Sequence, residues 1–257
     1  CIRDRHKIIS MITAIIFLAG MFSVIPLTAV AYGTYGSLTY NTYDSDGDGV
    51  YDYLTIASCA QPVTEVEIPA EIDGVPVTEI QQYAFGGCNN LKNVIIPDRV
   101  VKIGKYAFYD CRSLKEITIP ESVASIDNCA FKNCSVLETV LIKNPECEIY
   151  DSADTIFNNL IFDEETGEDF NSINGIIYGY ENSTAQAYVE KYGYNFKLFV
   201  QGDISKNDLI DLYDAIEVVK YIMKIRTFTE TDKQFADFTG NDAVDLYDAI
   251  EIARTLI

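Results

Sequence analysis

Apolar residues in the middle of the chain fall two apart in short runs: Val94 and Ile96, Ile117 and Ile119, Val140 and Ile142. That alternation places each pair on one face of a short strand. Pro97 and Pro120 follow two of the pairs directly, and proline ends such strands because it has no amide hydrogen to give a neighbour. The runs recur with a period of 23 residues when the chain is cut at Leu91, Leu114 and Leu137. An earlier copy starting near Val63 carries an insertion around Asp73-Gly74-Val75-Pro76. Each well-formed copy reads Leu-x-x-Val/Ile-x-Ile-Pro, then Val-x-x-Ile, then Ala-Phe-x-x-Cys.

A period of this length with a leucine-rich strand predicts a solenoid, in which each coil buries its apolar face against the next. Phe85, Phe108 and Phe131 then form one column, and Cys88, Cys111 and Cys134 an inward ladder. These cysteines are expected to serve as small buried apolar groups rather than disulfide partners. Cys129 replaces the tyrosine of its neighbours, Tyr83 and Tyr106, for no evident reason. The strand face turned away from the core is expected to expose Lys92, Asn93, Ile95, Lys115, Glu116, Thr118, Glu138, Thr139 and Leu141. Such a mixed face suits a protein partner and suits a plain solvated surface equally. Residues 144–170 drift from the pattern, with an acidic run at Asp163-Glu164-Glu165, so three or four coils are expected to be well formed.

Upstream, Leu38-Thr39-Tyr40 and Tyr53-Leu54-Thr55-Ile56 flank Tyr43-Asp44-Ser45-Asp46-Gly47-Asp48-Gly49, which predicts a β-hairpin. Asp44, Asp46, Asp48 and Asp52 also hold the early positions of a calcium loop, but Thr55 stands where a bidentate carboxylate is required. A turn rich in Asp and Gly is the preferred reading, with a weak third calcium site as the alternative.

From Gly202 the pattern changes and repeats with a period of 34 residues. Asp203–Asp214 aligns with Asp237–Asp248, and the stretches Asp211–Glu217 and Asp245–Glu251 are identical. Calcium takes oxygen ligands at alternating positions of a 12-residue loop closed by a carboxylate. The first copy offers Asp203, Ser205, Asn207, the Leu209 carbonyl, Asp211 and Asp214; the second offers Asp237, Thr239, Asn241, the Ala243 carbonyl, Asp245 and Asp248. Position 6, normally glycine, is Asp208 or Asp242, and position 4 of the first loop is Lys206, which lowers the local negative charge. Each loop leads into a helical pattern: Leu212, Ala215, Ile216, Val219, Ile222 and Met223, then Leu246, Ala249, Ile250, Ala253 and Leu256. Thr229–Ala236 opens with capping residues and reads as a short linking helix.

Composition narrows the function. Against 39 acidic residues stand 19 basic ones, a net charge of −20 that repels nucleic acid and attracts cations. Arg3, Arg5 and Lys7 precede an apolar run from Ile8 to about Ile25, and Ala29-Val30-Ala31 fits signal cleavage. A membrane anchor is the alternative, disfavoured because polar, turn-rich sequence follows at once. Loss of residues 1–31 would take the charge from −20 to −22 and remove His6, the sole histidine. Without histidine the remaining chain cannot build Ser-His-Asp or Cys-His nucleophiles or a His-ligated zinc site.

The Ile-Pro and Ala-Phe-x-x-Cys motifs resemble BspA-like (Treponema-type) leucine-rich repeats. That resemblance extends to Ile177–Ala185, Tyr188 and Lys191-Tyr192-Gly193-Tyr194, which look like the C-terminal cap of such arrays. The doubled loop-helix resembles a type I dockerin, and implies docking to a cohesin module of a scaffoldin. By that resemblance the contact residues are Leu212, Tyr213, Val219 and Lys220 in one copy and Leu246, Tyr247, Ala253 and Arg254 in the other. Their near identity implies that either face meets the same cohesin, with the module turned half around.

The expected fold is α+β: a short leucine-rich-repeat solenoid with a hairpin N-cap, then a small all-α dockerin with two calcium loop-helix motifs. The expected divisions are 1–31 signal peptide, 32–62 cap hairpin, 63–200 repeats with their cap, and 201–257 dockerin. The expected function is that of a secreted, non-catalytic component of a cellulosome-type complex. It would bind two calcium ions and a cohesin, present the repeats to a further protein, and engage neither nucleic acid nor, once the signal is cleaved, the membrane. The rivals are a cell-surface adhesin and a polysaccharide-active enzyme or inhibitor, with an Asp/Glu pair in the repeats.

Overall fold

The computed structural model describes residues 31–157, 160–162, 169–171, 175–207 and 209–257. The expected signal peptide at 1–31 (but for Ala31), the acidic run at Asp163-Glu164-Glu165 and position Asp208 lie outside the described residues.

Strands come in chain order: β1 Tyr32–Tyr35, β2 Leu38–Tyr43, β3 Tyr53–Cys59, β4 Glu65–Glu67, β5 Glu71–Ile72, β6 Val75–Ile80, β7 Asn93–Ile95 and β8 Lys102–Ile103. There follow β9 Glu116–Ile119, β10 Ser125–Ile126, β11 Thr139–Ile142, β12 Glu148–Ile149, β13 Leu160–Phe162, β14 Asp169–Asn171, β15 Ile176–Gly179 and β16 Asn195–Leu198. Helix α1 spans Thr184–Tyr192, α2 Leu212–Ile222, α3 Glu230–Ala236 and α4 Leu246–Arg254.

The Ile-x-Ile runs stack on one side as parallel strands in two ladders, β4–β7 and then β9–β11–β15–β16. Val66 pairs with Val94, and in the later coils Ile117 pairs with Val140, Val140 with Ile177, and Ile177 with Phe196. The Val-x-x-Ile runs, not foreseen as strands, form a single ladder on the other side: Ile80, Ile103, Ile126 and Ile149 lie in register from β6 to β12. The hairpin of β2 and β3 is antiparallel and hands over to that ladder through the parallel β3–β6 pair. With β15 and β16 on the first side, the solenoid has about six coils rather than three or four. The last ones lack the leucine pattern but keep the strand pairing, since backbone hydrogen bonds need no particular side chain.

Between the two sides runs the expected column: the Phe85, Phe108 and Phe131 rings stack at 4.9 and 5.2 Å. The cysteine ladder beside it is buried and free of disulfides, with the Cys111 and Cys134 thiols donating to the carbonyls of Phe85 and Phe108. Tyr83, Tyr106 and Cys129 share a left-handed turn position, with φ of 59°, 56° and 56°. The two tyrosines stack at 4.9 Å, and Cys129 ends that row. The gapless register slips in the next copy: Phe131 N–H donates to the Thr155 carbonyl as Phe108 N–H does to that of Ala130, so Ile156 fills the place of a phenylalanine.

Helix α1 closes this core with Ala185, Tyr188 and Val189. It is capped by Ser183 at its start and by Gly193, at φ 73°, at its end. Helices α2 and α4 pack on one another and bury Ala215, Val218, Ala249 and Ile252 in a second core. That core also contains Phe199 and, from the linking helix α3, Phe235 and Ala236. It reaches into the solenoid too, because Leu141 and Tyr178 belong to it. The expectation of an exposed Leu141 is therefore corrected: it is fully covered, because α3 lies across the outward face of the strands.

Candidate calcium loops and docking faces

In the first loop Asp203 is buried and its Oδ1 accepts from Asn207 N–H at 3.1 Å and from the Ser205 hydroxyl at 3.1 Å. Asp214, also fully buried, accepts from Ser205 N–H at 2.9 Å and Asp211 N–H at 2.8 Å. Asn207 Oδ1 accepts from Leu209 N–H at 2.9 Å.

The second loop repeats this wiring. Asp237 accepts from the Asn241 and Asp242 amides at 3.0 and 2.9 Å, and Asn241 from Ala243 N–H. Asp248 accepts from Thr239 N–H, from the Thr239 hydroxyl and from Asp245 N–H. Asp211 and Asp245 cap α2 and α4, each in a capping box with Asp214 or Asp248. Asp242 takes φ 63°, the left-handed geometry that position 6 demands and that Asp tolerates better than most side chains.

Asp214 and Asp248 carry the electrostatic argument. Both have zero exposure and no ion pair among the described residues. Burying an ionised carboxylate is costly unless a cation or several donors compensate. Oxygen atoms alone, from Asp, Asn, Ser or Thr and a carbonyl, form a donor set that fits calcium.

Lys206, expected to weaken the first loop by its charge, instead points away from it. Its Nζ pairs with Asp232 of α3 at 2.9 Å and lies over the Phe235 and Tyr178 rings at 5.2 and 5.9 Å. Burial pushes the Asp232 carboxyl up, but Lys206 and the Thr229 cap outweigh it and hold the group below the ordinary carboxylate range. Position 4 is left-handed in both loops, at Lys206 with φ 57° and Gly240 with φ 69°.

The anticipated docking residues lie outward. Leu212, Tyr213, Leu246 and Tyr247 are all more than half exposed, Arg254 is exposed, and Val219, Lys220 and Ala253 are half-buried. Sequence periodicity assigned Leu212, Ile216 and Met223 to one apolar stripe with Ala215; the structure splits them, with Ala215 inward and the other three outward. Ile216 and Ile250, at the same offset in the duplicated stretch, are exposed as well, which the loop alignment did not single out. The faces differ in detail: Val219 stands opposite Ala253 in the alignment, and Lys220 pairs with Glu217 at 2.7 Å and lies over the Tyr213 ring at 5.4 Å, whereas Arg254 pairs with Glu251. Burial works to raise Glu217, but Lys220 and Arg226 hold it below its usual value.

At the hairpin tip, Asp44, Asp46 and Asp48 form a trio of carboxylates within 4.8 Å of one another. They already accept local amides, Asp44 from Gly47 and Gly49, Asp46 from Asp48, and Asp48 from Val50. Asp52 is turned to Ser45, whose hydroxyl and amide hold its carboxyl low. This is the bonding of an Asx-rich turn.

Comparison with known proteins matches two parts of the chain. Residues 57–174 match the model of the BspA type leucine rich repeat region in six copies, and residues 201–257 match the dockerin type I domain. The chain thus carries BspA-type leucine-rich repeats and, after them, a type I dockerin domain. Solved structures similar to it are bacterial leucine-rich repeat proteins. One from Bacteroides ovatus is 27% identical over 46% of this chain and 31% of its own, with a TM-score of 0.41. One from Bacteroides capillosus is 23% identical over 58% of this chain and 97% of its own, with a TM-score of 0.45. A leucine rich cell surface protein from Faecalibacterium prausnitzii is 30% identical over 46% and 35%, with a TM-score of 0.36. The chain therefore spans about a third of the length of the first and third of these. No curated protein matches it.

Proposed function

We propose that this protein is an exported, non-catalytic component of a cellulosome-type assembly. In this reading its C-terminal module, residues 201–257, binds two calcium ions and docks to a cohesin, while the repeats at 63–200 behind the 32–62 hairpin present a protein-binding surface. The single observation that carries it is the doubled loop, in which oxygen-bearing side chains recur in the same wiring onto the buried closing carboxylates Asp214 and Asp248, while the following Leu-Tyr pairs stand exposed. A divalent cation would add charge neutralisation to the amide and hydroxyl hydrogen bonds that these two carboxylates already accept, and the loops it holds lead into two closely similar apolar faces.

Supporting the non-catalytic part, both domain types are typically non-catalytic. Export rests on the cationic and apolar segment at residues 1–31. Among the described residues no helix is long and apolar enough to cross a membrane.

Calorimetric titration of the full chain tests the metal half of the reading. Two calcium ions should bind, and Asp214→Asn or Asp248→Asn should each remove one. At a thousandfold excess over the dissociation constant, binding to the folded state alone should add about 4 kcal/mol of stability. An unchanged stoichiometry in both variants would remove calcium from these loops.

A further inference from the structure

The outward strand position recurs once per coil, and its surroundings change along the solenoid. Ile95 in β7 is 39% exposed, Thr118 in β9 is half-buried, and Leu141 in β11 is fully covered. One coil further, Tyr178 in β15 is buried, with its ring edge-on to Phe235 at 5.3 Å. Phe199 meets Phe235 at 4.9 Å from the other side. Around this apolar centre lie polar contacts between the modules: Lys143 Nζ donates to Gln234 Oε1 at 3.0 Å, and Thr231 N–H to Glu116 Oε1 at 3.3 Å. Lys197 Nζ donates to the Lys206 carbonyl at 3.1 Å, and the Lys206 ammonium covers the Tyr178 ring.

We propose that the outward face of β9, β11 and β15 is a receptor for the chain's own linking helix α3, joining repeats and dockerin into one rigid body. The occupant is fixed by what sits there: α3 supplies Phe235 to the apolar centre and Thr231 and Gln234 to its rim. The neighbouring strand residues Val140, Ile142 and Ile177 belong to the solenoid core, whereas Leu141 and Tyr178 belong to the second core. Periodicity alone gives no reason for a leucine and then a tyrosine at the outward position where β9 has Thr118; the helix does. None of these contacts uses a proposed calcium-ligating side chain, so α3 should stay seated in chelator, although Ile204 and Lys206 of the first loop adjoin the seam. A protein ligand of the repeats is left with the earlier coils around Glu65, Glu67, Lys92 and Ile95, all of them exposed.

Hydrogen exchange of the full chain, with calcium and with chelator, tests this without any cohesin. Leu141→Asn and Tyr178→Ser should each lower amide protection over 231–236 at least tenfold in chelator while the strands at 93–96 keep theirs. Ile95→Asn, at the same repeat position but uncovered, should change nothing in α3. A rim pair guards against variants that disturb the solenoid: Gln234→Glu, facing Lys143, should raise protection of α3, and Gln234→Lys should lower it. Unchanged protection of α3 in Leu141→Asn and Tyr178→Ser, or the same response to both Gln234 variants, would overturn the proposal.

Discussion

Individual side chains show how the fold assigns different tasks to one residue type. Five of the described cysteines are buried and one, Cys59, is half-buried at the end of β3. The Cys59 thiol is drawn down to about 7 by a hydrogen bond from Cys88, with Ser37 assisting against burial. Burial pushes Cys147 up to about 12, and Cys88 and Cys111 are raised by neighbouring thiols and burial. Since the thiolate is the reactive form, iodoacetamide at about pH 8 should label Cys59 first and leave Cys111 and Cys147 unmodified in the native protein. Mass spectrometry of the labelled peptides checks this; equal labelling of all six would mean the ladder is open. Sequence position alone marked Cys88, Cys111 and Cys134 as inward, because they recur at one place in the repeat. It could not separate Cys59, which belongs to the hairpin and has no repeat to define it.

Whole strands and turns were legible where the period repeats them. Three copies of Val/Ile-x-Ile, two of them closed by proline, define the strands of one side because each copy repeats the same facing and spacing. The ladder of the other side was missed because its strands are two residues long, too short for alternation to be visible. The phenylalanine column was readable from Ala-Phe-x-x-Cys, and it is the interior support of the turns. Phe108, flanked by Phe85 and Phe131 and fully buried, should lose about 3–5 kcal/mol of stability on substitution by alanine, as large-to-small changes in packed cores do. Denaturant unfolding measures it. A change below about 1 kcal/mol would mean that the column does not bear on the stability of the coils. The drift after Asn144 hid two real features: the shift that brings Ile156 into the phenylalanine place, and the continued pairing of β15 and β16.

At the scale of the molecule, what the sequence concealed is how its two halves meet. Lys143 and Gln234 touch across a separation of 91 residues, and no local pattern announces such a pair. The same contact explains Lys206, which looked like a defect in a calcium loop and is instead turned to Asp232 beside the seam. Asp232 has a carboxyl lowered in the folded state. Its contribution to stability is therefore present above the ordinary carboxyl value, about 3.9, and fades as pH falls through the lower folded value. Acidification from about pH 5 to 2 should loosen α3, and Asp232→Asn should flatten that dependence; thermal melts across the range follow both.

The central claim is that the doubled module docks to a cohesin through calcium-fixed Leu-Tyr faces. Its most direct measurement is binding of the full chain to immobilised type I cohesins, in millimolar calcium and after chelation. The account predicts binding that chelation abolishes. Alanines at Leu212 and Tyr213, or at Leu246 and Tyr247, should leave one working face, and all four together should leave none. Failure to bind any cohesin with calcium present, or binding that survives both chelation and the fourfold variant, would contradict it.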